Sequence, residues 1–259
     1  MLRGLYSAAS GMIADITRLD VVSNNLANVG SAGFKRDEVV QHAFNDLLLS
    51  RLNDRPRAVG PYVAPTIGYL GTGTYVDQVV TDFSSGSPRK TDNPFDLSLR
   101  DLPGQPTQFF AVQTPNGVRY TRTLSLQPLN GQLLSPDGYP VLGDGGDPVQ
   151  VSGNGEVRVD ETGQVVVGGR VAGRLQVVSF NAPEGLQRQG AALYQETAAS
   201  GQAQDVAAPR LLVGYEESSN VNPVLEMVNM IEVMRNYEAG SKAVQSQDAT
   251  LEKLLQLQA

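Results

Sequence analysis

Two seven-residue apolar repeats, one at each end of the chain with a different periodicity between them, constrain this sequence more than any other feature. Leu5, Met12, Leu19 and Leu26 stand seven apart, and Leu2, Ala9, Ile16 and Ser23 form a second row three residues earlier. Rows at this spacing make a single stripe on a helix, the a/d seam of a coiled coil, over residues 1–29. Gly4 and Gly11 each cost up to ~1 kcal/mol inside a helix, so burial of the seam must hold it. At the other end Asn222 suits a helix cap, Pro223 the first helical position and Glu226 the first turn, where the helix dipole favours an acid. Met227, Met230, Met234, Tyr237, Val244, Leu251 and Leu255 then follow 3-4 spacing almost to Ala259.

Between the ends the pattern changes twice. Residues 37–52, "DEVVQHAFNDLLLSRL", read as a second, shorter helix. From Asn53 to Gly73, Pro56, Pro61, Pro65 and repeated glycines break both periodicities, which predicts an extended connection, with one strand at 74–83. From about Ser87 to Leu212 short apolar runs alternate with Asn116-Gly117, Asn130-Gly131, Asp137-Gly138, Asp144-Gly145 and Asn154-Gly155. Such dipeptides supply the positive φ angles of hairpin turns. The expected fold is α+β: terminal coiled-coil-type helices bracketing an antiparallel β-rich domain. Its expected divisions are a helical assembly segment 1–52, a Gly/Pro-rich connection 53–87, a β body 88–212 and a C-terminal assembly helix 213–259.

If both helices leave the same side of the β body they run antiparallel, at roughly 45 and 50 Å long enough to pair. Burying the large residues of the N-terminal seam contributes roughly 7–15 kcal/mol, similar to the ~4–15 kcal/mol cost of association. One contact is marginal and several copies docking together are stable. An internal two-helix stalk is the plainer alternative. The amides Asn24, Asn25, Asn28, Asn229, Asn236, Gln245 and Gln247 favour a multi-helix assembly, since buried amides need partners.

Composition narrows the function. A net charge of −7, with no cluster of Lys or Arg, argues against nucleic acid. No cysteine is present, which excludes disulfides, thiolate zinc sites and a cysteine nucleophile. No stretch predicts a Sec signal or a membrane span. His42 is the only histidine, without a nucleophile motif around it. The carboxylates Glu156, Asp160 and Glu161 lack a flanking aromatic platform for sugar, and "GYLGTGTY" (68–75) lacks the Lys-Ser/Thr of a phosphate loop. No catalytic, cofactor or metal site is expected.

The stretch "SNNLANVGSAGFKR" then marks the exit from the first helix: Gly30 and Gly33 end it and Phe34 folds back as an anchor. Ser10-Gly11-Met12, Asn24-Asn25-Leu26-Ala27-Asn28 and Gly33-Phe34-Lys35-Arg36, with "ESSNVNPVLEMVNMIEVMRNYEAGSKAVQSQD" at 217–248, resemble the rod and hook family of flagellar axial proteins. "TDNPFDLSL", "FFAVQTPNGVRYTR" and "GQLLSPDGYPVLG" resemble family segments in the middle. Here the chain departs in "DLPGQPTQFF", where a G-D-G-F-F turn is usual, and in Leu124, where a T-R-x-G-S step has glycine. The length resembles a rod protein; "YPVLGDGG" is similar to the proximal branch and the C-terminal match is shared with the distal one.

The resemblance implies a structural subunit, exported unfolded through the flagellar type III apparatus without a cleaved signal. It would polymerise with itself and with other rod and hook proteins in the periplasm. Seam and signature together nominate an assembly interface of Leu5, Met12, Ile16, Leu19, Asn24, Asn25, Leu26, Asn28, Gly33, Phe34, Asn220, Asn222, Met227, Met230, Met234, Tyr237, Val244 and Leu251. A secreted β-domain adhesin with helical oligomerisation arms is the alternative; unlike a rod subunit, it would keep its ligand after deletion of the termini.

Overall fold

The computed structural model describes residues 2–50, 66–101, 104–151, 155–190 and 192–256. Two long helices, α1 (Leu2–Ala27) and α2 (Pro223–Gln256), lie near the ends of the chain, and between them the described residues form many antiparallel strands and one short 3-10 turn. At 1.5 Å per residue the helices are about 39 and 51 Å long. None of the described helices is long and apolar enough to cross a membrane.

The chain forms two compact units: residues 1–24, 37–79 and 224–259 make one, and residues 25–36 and 80–223 make the other. In the first unit α1 and α2 lie side by side in opposite directions. A Cβ added at Gly240 would stand 2.8 Å from Met12 Cγ, and one added at Gly4 would collide with the Gln247 side-chain amide. Moving from residue 12 back to 4 on α1 thus corresponds to moving from 240 on to 247 on α2. At both glycines a side chain of the facing helix occupies the space a Cβ would take. Gly11, by contrast, has no atom within 4 Å of where its Cβ would be.

One expectation fails in this unit. Of the second helix expected at 37–52, the described residues 37–50 are not helical: Asp37–Ala43 pairs with Thr74–Thr81, and Leu47–Ser50 pairs antiparallel with Thr66–Leu70. Val39-Val40 and the Leu47–Leu49 run suit strands, Asn45-Asp46 interrupts any helix between them, and ladder pairing overrides the weak helical bias of the remaining residues. The strand expected at 74–83 is present as Thr74–Thr81. Of the connection expected at 53–87, residues 53–65 lie outside the described residues.

The second unit is built on a six-stranded antiparallel sheet. Its order is Gln187–Gln189, Leu193–Gln195, Gly117–Thr121, Gln108–Thr114, Val177–Ser179, Gln204–Asp205. Successive residues on a strand face opposite ways. Phe110 and Val112 therefore join one core with Leu97, Leu124, Leu133, Val165 and Leu175, whereas Phe109 and Ala111 join another with Phe83, Phe180 and Tyr194. The second core is aromatic, with edge-on pairs such as Phe83–Tyr194 at 5.0 Å and Tyr120–Phe180 at 4.9 Å, the geometry ring quadrupoles prefer. Leu124, where the family pattern has glycine, lies opposite Leu97 in the ladder between Asp96–Leu99 and Thr123–Ser125 and fills the first core. Asn130 (φ 52°) and Gly131 (φ 76°) make the two-residue turn between Gln127–Leu129 and Gln132–Leu134, as the dipeptide predicts.

Candidate assembly site

The sequence nominates residues from both units, and they fall into three groups. On α1, Leu5, Met12, Leu19 and Leu26 are half-buried and Ile16 is exposed; the buried residues among those described are Ala14, Val22 and Asn25. On α2, Met230, Val244 and Leu251 are half-buried and lie along one side with Val233, Gly240 and Gln247, and Tyr237, 38% exposed, completes that row at alternate steps of three and four. The side turned away from it is open: Met227, Val228, Ile231 and Met234 keep 46–55% of their surface exposed. Residues at i, i+1, i+4 and i+7 share a helix face, so these four make a continuous apolar stripe about two turns long. The C-terminal repeat therefore supplies two faces rather than a single seam.

The third group is the junction inside the second unit, where the N-terminal segment meets the start of the C-terminal one. The chain turns at Gly33, whose φ of 69° excludes other residues at low cost and whose Cα faces the Thr123 methyl at a distance that leaves no room for a Cβ. The Gly33 N–H donates to the Glu217 carbonyl at 2.7 Å. Phe34 is buried beneath the Arg188 guanidinium, 4.3 Å from the ring centroid, and that guanidinium also donates to the Lys35 carbonyl. Asn220 works from the segment that leads into α2. Its Oδ1 accepts the Arg36 N–H at 2.7 Å and its amide donates to the Asp82 carbonyl at 2.9 Å. Asn25 is buried, Asn28 accepts a hydrogen bond from the Ser31 hydroxyl, and Asn24 and Asn222 are exposed.

At the centre of this junction lies a buried ion cluster that reading the sequence missed. Lys35 Nζ, with no exposed surface, donates to Glu217 Oε1 at 2.6 Å and to the Ser84 carbonyl at 2.7 Å. Arg122, equally enclosed, donates through Nε to Glu217 Oε2 at 3.1 Å and forks onto both Asp101 oxygens at 3.0 and 2.7 Å. The Gly86 N–H adds a third donor to Glu217, at 2.8 Å. Burial pushes the Lys35 ammonium below its ordinary value, with the Glu217 carboxylate opposing. Burial also works against the Arg122 charge, but Glu217 and Asp101 outweigh it and hold the guanidinium above its ordinary value. The cluster ties together residues 95 and 182 positions apart in the chain.

The residues weighed for catalysis do other work. Asp160 accepts from the Thr162 N–H and hydroxyl and from the Gln164 N–H, closing a hairpin turn; burial raises its carboxyl, and these bonds outweigh it and hold the group below its usual value. His42 is exposed on a strand beside Asp77, at 3.7 Å, and Tyr75. Among the described residues no group of His, Asp and Glu is placed to hold a metal ion.

Comparison with known proteins agrees with both ends and with the whole length. Residues 5–35 match the family described as flagella basal body rod protein, and residues 212–257 match the family described as flagellar basal body rod FlgEFG protein C-terminal. The flagellar basal-body rod protein FlgG of Buchnera aphidicola subsp. Schizaphis graminum is 36% identical, covering 99% of this chain and 100% of that one. The flagellar hook-basal body complex protein FlhO of Bacillus subtilis is 32% identical over 98% of this chain and 97% of its own. FlgG of Caulobacter vibrioides is 33% identical over 99% of each chain. With full-length identity at this level and both terminal signatures in place, the chain belongs to the flagellar basal-body rod protein family.

Proposed function

We propose that this structural rod subunit polymerises through α1 and α2 into a helical tube that transmits torque from motor to hook. The single observation that carries the reading is the open stripe of α2. Met227, Val228, Ile231 and Met234 leave an apolar face in water that the free chain does not cover, and contiguous faces of this kind mark protein contacts. A coiled-coil contact between helices of neighbouring copies would bury it, with Ile13 and Ile16 of α1, 67% and 47% exposed, available to the same kind of packing. A heterologous contact repeated without closure builds a helical polymer. The proposed interface keeps the nominated residues in three roles: the open faces join copies, the half-buried Leu5, Met12, Leu19, Met230, Val244 and Leu251 join α1 to α2, and the junction residues hold the terminal segments to the β body.

Delivery follows from the same reading. The subunit reaches the periplasm through the flagellar type III apparatus, without a cleaved signal, and meets other rod and hook proteins at the growing tip. Its role is structural rather than enzymatic, in keeping with carboxylates that are engaged in turns and ion pairs.

Ile231→Asp tests it. The variant should show the thermal unfolding of the unaltered subunit and form no polymer by electron microscopy, since burying an unpaired carboxylate costs several kcal/mol. Polymers of normal length from Ile231→Asp would remove the open stripe from the interface and the reading with it.

A further inference from the structure

The buried cluster has a charge balance that depends on where its members come from. Two cations, Lys35 and Arg122, face two carboxylates, Glu217 and Asp101. Lys35, Arg122 and Asp101 all precede the closing strand Leu211–Val213, whereas Glu217 belongs to the final lead into α2. Without Glu217 the same site holds two fully enclosed cations and one carboxylate, and Asp101 is committed to Arg122 by both oxygens. Lys35 would then keep only the Ser84 carbonyl. A buried charge stripped of its partner is among the most destabilising arrangements in a protein.

The surroundings make this more than a surface pairing. Arg122 also donates to the Gln108 carbonyl at 2.5 Å, at the start of a central strand of the main sheet, and stands over the Phe109 ring at 5.8 Å. Leu97 and Leu124, both enclosed, belong to the ladder that contains Leu211–Val213, the strand that leads to Glu217 through Tyr215. Gly86 records how closely the last segment is seated: any Cβ there would overlap the Ser218 carbonyl.

We propose that Glu217 is the counter-charge that completes the β body once Lys35 is enclosed in it, so that residues 80–216 with residues 33–36 seated reach their folded state only when the last segment of the chain has docked against residues 84–87. Folding of a body that has taken in Lys35 is thereby conditional on the last segment of the chain, without any ligand or partner, whereas a body without either end keeps Arg122 and Asp101 as a balanced pair. The inference concerns the isolated subunit and stands whether or not α2 is a polymer contact.

Hydrogen exchange and chemical unfolding of the full chain test it. Glu217→Gln keeps the size and removes the charge; it should shift the folding equilibrium of the body by roughly 10²- to 10³-fold and expose the amides of Leu97, Leu124 and Val213. Adding Lys35→Met to that variant leaves Arg122 and Asp101 as a balanced pair, and should restore about tenfold or more of the lost stability. Gly86→Ala unseats the last segment with all four charges intact; it should open the body to exchange as Glu217→Gln does, and Lys35→Met should again relieve it. If Glu217→Gln does not fold at all, a folded double variant carries the same meaning. Wild-type stability in Glu217→Gln, a double variant no better than the single one, or a protected body in Gly86→Ala with residues 215–220 released would each overturn the proposal.

Discussion

The β body and the terminal helices treat apolar surface in opposite ways. In the body, Phe109, Phe110, Leu97, Leu133 and Tyr194 have no exposed surface. On α2, Val228 and Ile231 keep more than half of theirs. The body satisfies its own chemistry, down to an ion cluster whose charges cancel; the helices carry apolar surface that their own chain leaves in water. The difference separates what a subunit needs to be a subunit from what it offers to others.

The hardest blow to the body should come from Phe110→Ala, which empties part of the first core and should lower the unfolding free energy by about 3–5 kcal/mol in denaturant titration. A loss below ~1 kcal/mol would mean that the body is no better closed than the helices. Gly33→Ala forces a Cβ into the left-handed region and against Thr123, and should cost about 1–3 kcal/mol in the same measurement. Tyr120 gives a pH signature. Burial first, then the nearby Glu196 carboxylate, pushes its phenol up to about 12, from an ordinary value of 10. The unfolded chain therefore loses this proton first, and the contribution of Tyr120 to stability is present below pH 10 and disappears between pH 10 and 12. Because the hydroxyl is partly reached by solvent, the effect should be about 1 kcal/mol, and the phenolate absorbance lost on replacing Tyr120 with Phe should be a late-rising component. An ordinary titration of all tyrosines would contradict a sealed aromatic core.

The smallest effect sharpens the contrast within the helices. Gly11→Ala meets open space and should raise the stability of α1 by up to ~1 kcal/mol, whereas Gly240→Ala must push Met12 aside and should gain less or lose. Equal gains at both positions, by circular dichroism melts, would mean that α1 and α2 are not packed at Gly240.

The parts of this architecture that could be read from the sequence are those specified by neighbours in the chain. Asn130-Gly131 determines a turn through its own backbone preferences, and the 3-4 spacing of Met227 to Leu251 determines a helix. Residues 37–52 misled because their helical bias is weak and their strand partners lie at 66–81. The ion cluster was invisible for a stronger form of the same reason: Lys35 and Glu217 are 182 residues apart. A usable signal was nevertheless present. Arg122, Leu124 and Leu126 are buried and alternate with the half-buried Thr123 and Ser125, and a charged residue in such a row calls for a buried partner. Met227 and Met234 belong to the same repeat as Met230, yet periodicity alone does not say which side of α2 would meet α1.

Pro88–Lys90 lies antiparallel to Tyr215–Glu217, and the Thr91 N–H donates to the Gly214 carbonyl at 2.8 Å. Everything from Thr91 to Gly214 is therefore an excursion that departs from and returns to one place. Such an excursion is a cassette: evolution or a designer could lengthen or shorten it between the same two strands without rewriting α1 or α2, provided that Thr123 and Arg188 keep their places against Gly33 and Phe34. The cluster sets the condition of exchange, since a graft that discards Asp101 and Arg122 must leave Lys35 and Glu217 as a pair or replace both.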